Sequence, residues 1–217
     1  MSAKAWLLVG SGMVGVHSAW VVHTQSELSR AAAGRKFSPN SGDEVLKNGL
    51  ATGDLILFSR RWERYLLPQA LQVKMLQVVY GTIFDHVGVI VCDKYGVPHV
   101  FESSLFSGCK LRPFEDRVLH SRSFQIVVMP LLPRDVQHDE SGKLADYAAR
   151  SVSQKSHYPP TSSNSFLRDC YGQMGISLEA SEGAGGLAKN IMDRSVRVTY
   201  SGTQELKFGP VVVVRTT

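Results

Sequence analysis

GDLILFS (53–59), DHVGVIV (85–91), HVFES (99–103) and GCKLRPFEDRV (108–118) decide the fold of this chain. The first three are short apolar runs, and each brings one polar residue to a useful place. Asp54 opens the first, His86 opens the second and Glu102 sits near the end of the third. Runs of this length bounded by turn residues read as strands. A histidine on one strand and a carboxylate on its neighbour make the base-and-orienter pair of a nucleophilic hydrolase. What decides function is whether a nucleophile faces them.

Working outward, the 217 residues suffice for one domain of ordinary size plus an appendage. Apolar residues make up 43% of the chain, which excludes wholesale disorder. The net charge of +5 suits an anionic membrane surface or an acidic partner, and equally a solvated basic surface. No Lys/Arg block and no aromatic-interleaved basic stripe occurs, so no nucleic-acid partner is expected. Cys92, Cys109 and Cys170 are odd in number and widely spaced, with no CxxC, and read as free thiols of a reducing compartment. His99 and Glu102 lie three apart on a strand and point to opposite faces, so neither a metal site with His86 nor a cofactor is expected.

Residues 5–22, AWLLVGSGMVGVHSAWVV, carry no formal charge. As a helix they span about 27 Å, close to a hydrocarbon core of about 30 Å. Trp6 and Trp20 lie near the two ends, and Ser11, Gly15 and Ala19 form a small-residue packing face. The segment therefore reads as a single-span anchor inserted in a lipid bilayer, with a cleaved signal peptide beginning at Lys4 as the alternative. Arg30, Arg35 and Lys36 place the globular part on the positive-inside face, and His17 should face a partner. Gly10-x-Gly12-x-x-Gly15 matches a dinucleotide fingerprint, but no second apolar strand ending in an acid follows it.

The resulting division is an anchor helix over 1–24, a polar linker or wrapping arm over 25–50, and one domain over 51–217. Within that domain, Leu66, Ala70, Val73, Leu76 and Tyr80 recur at helical spacing, with Pro68 at a start or kink. Strands follow near 86–91, 98–103 and 123–131. A helix covers 142–155 with Leu144, Tyr147, Ala148 and Val152 inward, and another runs from Ser163 to Met174, stopped by Gly175. VRVTY (196–200) and VVVVR (211–215) read as late strands. Strands, then helices, then strands imply an α+β class: helices on one side of an antiparallel sheet or small barrel, plus the N-terminal apolar helix.

GDLILF (53–58), HVGVIV (86–91), VFES (100–103) and GCKLRPFEDRV (108–118), followed in order by QIVVMPL (125–131), ADYAARSVSQKSHYP (145–159) and MGI (174–176), resemble the circularly permuted papain-like amidases. These are relatives of the NlpC-type peptidases and the lecithin retinol acyltransferases. The resemblance covers about residues 50–180. It implies that His86 is the general base, that Glu102 orients it, and that a cysteine opening the late helix is the nucleophile.

Here the chain departs from the pattern. The matching position is Ser163, in Ser163-Asn164-Ser165 rather than Cys-Ser-Glu. The nearest cysteine, Cys170, lies seven residues later on one helical face with Phe166, Leu167, Tyr171 and Met174, and reads as a small core residue. Ser163 has a simpler role as a helix N-cap. The expectation is a catalytically degenerate, membrane-tethered accessory or scaffolding subunit. Its partners would be the other subunits of a membrane complex, with the mitochondrial inner membrane as one candidate host. The alternative is an active amidase, esterase or acyltransferase using Cys170 or Ser163 with His86 and Glu102. A lipid or acyl-group binding module is a third reading.

Overall fold

The computed structural model describes residues 3–80, 82–104, 107–134, 136–158, 163–180, 190–191, 196–201 and 204–214. Three strands of the deciding stretch, β1 (Leu55–Arg60), β2 (His86–Cys92) and β3 (Pro98–Ser104), lie side by side, and β4 (Gly108–Pro113) extends them. With β5 (Ser123–Met129) and β10 (Val212–Val214) they form a six-stranded sheet in the order β10-β5-β1-β2-β3-β4, every pair antiparallel. A second antiparallel sheet joins β6 (Leu131–Leu132), β9 (Gln204–Phe208), β8 (Val196–Tyr200) and β7 (Ile176–Ala180), in that order. The fold is α+β.

Side chains alternate across a strand, so the large sheet sorts its residues into two cores. Leu55, Leu57, Val87, Val89, Phe101, Val127 and Met129 point to one face. There they meet α5 (Val136–Ser153) through Leu144 and Ala148, and α6 (Ser163–Gln173) through Phe166, Leu167, Cys170 and Tyr171. Ile56, Phe58, Ile90, Val100, Ile126 and Val128 point to the other face, where Phe114 and Val118 of α4 (Phe114–Leu119) and Phe37 cover them. Helices on one side only were expected, whereas both faces are covered. The reason is local: Pro113, Glu115 and Asp116 start a short helix directly after β4 and fold it back under the sheet.

The N-terminal segment also differs from expectation. One helix, α1, runs from Ala3 through Ala32 and passes straight through the predicted boundary at residue 24. The Gly10–Gly15 triplet lies inside this helix, so the phosphate-binding turn of a dinucleotide site is not formed. Among the described residues no helix is long and apolar enough to cross a membrane, so the single-span anchor through 5–22 has no support here. The side chains of Trp6 and Ser11 lie outside the described residues. His17 is turned to the chain's own domain: its Nε2 lies 3.2 Å from the Tyr65 carbonyl oxygen, and Val21 is fully buried. Within 25–50, α2 (Gly42–Asn48) is capped by Ser41, which accepts from Glu44 N at 3.3 Å, and Gly49 closes it.

Asp54 holds the junction of the two sheets. It is fully buried, accepts from Ala51 N and Leu131 N at 3.0 Å each, and pairs with Arg134. Beside it, Gly53 has φ +94° and a side chain there would meet Met174 Cε at 3.0 Å, while Tyr171 donates to the Gly53 carbonyl at 2.8 Å. Asp54→Ala would remove the acceptor shared by the part-buried Ala51 N–H, the buried Leu131 N–H and the Arg134 guanidinium. It is expected to lower stability by about 2–4 kcal/mol, read as a drop in the urea midpoint at unchanged m value.

Candidate functional site

Antiparallel registration builds the site. His86 lies directly opposite Phe58, and Glu102 directly opposite Gly88. Cross-strand partners share a face, and so do residues two apart, which puts Phe58, His86, Gly88 and Glu102 on one side of the sheet. Gly88 is required there. A Cβ at this position would stand 2.9 Å from Val100 Cγ1 and 3.0 Å from the Phe101 carbonyl. With no side chain between them, Glu102 reaches diagonally across, and its Oε2 lies 2.8 Å from His86 Nε2.

The sequence reading of this pair missed Arg117. It descends from α4 and donates through Nε to both Glu102 oxygens, at 2.8 and 3.0 Å. Its guanidinium also lies over the Phe58 ring at 4.0 Å. Arg112, on β4 beside Glu102, stands further off at 3.5 Å and is more exposed. A signal for Arg117 exists: a basic residue closing a short helix whose first turn is acidic. Beyond it, Asp85 is buried, accepts from Arg60 N at 2.8 Å and pairs with the Arg60 side chain.

The electrostatics follow from burial and these neighbours. Burial pushes the Glu102 carboxyl up, but His86 and Arg117 more than reverse it and hold the group far below the usual carboxylate range. Burial lowers the His86 pKa, Arg60 and Arg117 add to this, and Glu102 opposes it without reversing it. The fold thus holds a neutral ring that donates Nε2–H to Glu102. That leaves Nδ1 as the basic nitrogen, the polarity a general base needs.

The thiol candidate does not stand on that side. Cys170 is fully buried in the core on the opposite face, with Val87, Val89 and Phe101. Burial, with Cys109 and Asp169 adding to it, pushes its thiol well above the ordinary range. Ser163 is the first residue of the same helix, and its side chain lies outside the described residues. α6 is tied down past its midpoint by Tyr158, whose hydroxyl donates to Asp169 Oδ2 at 2.7 Å and contacts the Tyr147 hydroxyl. The structure therefore brings His86 and Glu102 together and sets Cys170 apart from them. His99 is turned to the Val97 carbonyl at 3.0 Å. Among the described residues no group of three or more His, Cys, Asp or Glu could hold a metal ion.

A comparison with protein-family models finds no match, and no curated protein matches the chain. Among solved structures, the metalloprotein YiiX from Escherichia coli O157:H7 is similar at a TM-score of 0.43 and 17% identity, covering 77% of this chain and 97% of that one. A likeness of that size carries no argument about chemistry.

Two outcomes test the site's electrostatics. Glu102→Gln leaves Arg117, only 12% exposed, without its anion, and is expected to cost about 3–5 kcal/mol in urea unfolding. The pH dependence has a definite sign. The unfolded chain binds the His86 proton at about pH 6.5 and the fold resists it, so stability from this group is full above that pH and falls as pH drops below it. Glu102 acts in the same sense further down: its contribution is present above its unfolded value of about 4.3 and disappears in stronger acid. The urea midpoint is expected to fall between about pH 7.5 and about pH 5.5, and His86→Gln to flatten that part of the curve.

Proposed function

We propose that the chain is a non-catalytic accessory or scaffolding subunit of a membrane-associated complex, built on a permuted papain-like fold in which the base-and-acid pair serves structure. One observation carries this reading: His86 and Glu102 lie on one face of the six-stranded sheet, while α6 and Cys170 pack on the other. Acyl transfer needs the nucleophile within hydrogen-bond reach of its base, and a sheet stands between these two. Glu102 is also committed to Arg117 through both oxygens, as a structural ion pair is.

The membrane part of the proposal is supported by exposed apolar surface. Met13, Val16 and Trp20 of α1 face outward in a segment free of charge from residue 5 to 22. Other subunits and lipid are the partners this surface suits, and free thiols keep the mitochondrial inner membrane among the hosts.

Thiol labelling separates this proposal from an active cysteine hydrolase. Under the proposal, Cys170 reacts with iodoacetamide only after denaturation. Rapid labelling of Cys170 in the folded chain, well below the free-thiol value of about pH 8.5 and abolished by His86→Ala, would make the protein a thiol enzyme.

A further inference from the structure

Helix α3 (Leu67–Tyr80) is apolar on two sides. Ala70, Val73 and Leu76 face inward and are buried. Leu67, Leu71, Met75 and Val78 are all exposed, Leu71 at 71% and Val78 at 69%. At 100° per residue these four fall within about 80° of one another, so they form one continuous outward stripe. Core packing explains the first face and leaves the second without a partner among the described residues. A soluble surface rarely carries such a row unless something covers it.

The charges around the stripe indicate what does. The sequence of α3 contains no acidic residue, and its one charge, Lys74, falls in the same outward sector. Arg61 and Arg64 stand just before it, with Glu63 between them as the nearest acid. Trp62, exposed at 41%, lies at the same end. The guanidinium of Arg61 stacks 4.9 Å over Phe124, itself exposed. An apolar stripe rimmed by cations, with tryptophan at its margin, matches the interface of an anionic bilayer. Acyl chains would meet the leucines, and headgroup phosphates and carboxylates would meet the cations.

We infer that α3, with the turn Trp62–Arg64 leading into it, lies on an anionic lipid surface as an interfacial helix. This extends the membrane-associated part of the proposal above and is independent of whether the chain is catalytic. It also locates the lipid contact outside residues 5–22. α1 is tied to the turn before α3, its His17 Nε2 lying 3.2 Å from the Tyr65 carbonyl oxygen.

The test uses the purified full chain, co-sedimented with phosphatidylcholine vesicles with and without phosphatidylserine. The wild type is expected to bind the anionic vesicles, weakly bind the neutral ones, and release with added salt. Leu71→Ser/Val78→Ser should weaken anionic binding by about a hundredfold, and Lys74→Glu by about tenfold. Far-UV circular dichroism and the thermal midpoint should stay unchanged in both, since all three side chains are outside the core. Wild-type binding that ignores these substitutions would overturn the assignment to α3 and leave membrane association standing through α1. No binding to either vesicle would overturn both. A wild-type dimer that the double substitution converts to monomer, without lipid binding, would show the stripe to be a contact with a second copy.

Discussion

Glu102 is a negative charge placed where little water reaches it, and the surrounding structure is arranged around that cost. Its side chain is 4% exposed. An isolated carboxylate there would take up a proton or disrupt the sheet. It stays ionised because Arg117 arrives from α4, because Gly88 leaves a passage to His86, and because His86 donates its ring N–H. Two of these come from β2 and the third from α4. The pair thus ties the β2–β3 registration to the placement of α4, with Arg117 lying over the Phe58 ring. Nε2 of His86 and the Arg117 guanidinium together keep one buried charge tolerable.

The second constraint is the pleat. In HVGVIVC (86–92) the odd positions Val87, Val89 and Val91 face α5 and α6, while His86 and Gly88 face α4. A strand covered by helices on both sides is apolar on both sides, so its alternation gives no clue to which side the histidine takes. This is why the base-and-acid pair was legible in the sequence and its separation from Cys170 was not. The order of motifs along the chain specifies neighbours within a sheet, whereas the side is set by registration and by what covers each face.

Other features were legible to the degree that their signals were periodic. The inward row of α3 and the Cys170 face of α6 followed from helical spacing over three turns. α4 is only six residues long, too short for spacing to register, and its start signal of proline followed by two acids went unread. Residues 42–48 read as linker because the helix α2 has no buried residue, and its caps are its main sequence mark. The apolar run at 5–22 read as a membrane span from its lack of charge, and within its described part Val21 is buried while Met13, Val16 and Trp20 are exposed. His17 is the discordant residue in that run, and it is bonded to the domain at Tyr65.

Strand β5 pairs with β1 on one side and with β10 on the other, and continues through Pro130 into β6 of the second sheet. Its second edge is therefore closed by a strand that leaves the ribosome last among those described. Until Val212–Val214 emerge, a growing chain carries β5 with one row of backbone donors and acceptors open beside Ile126, Val127 and Val128. Such an edge is a template for any passing strand. The large sheet cannot be finished during synthesis of its own strands, and its completion waits on the second sheet being threaded between. The hazard in making this protein therefore lies at the β5 edge and in the interval before the last strand is free.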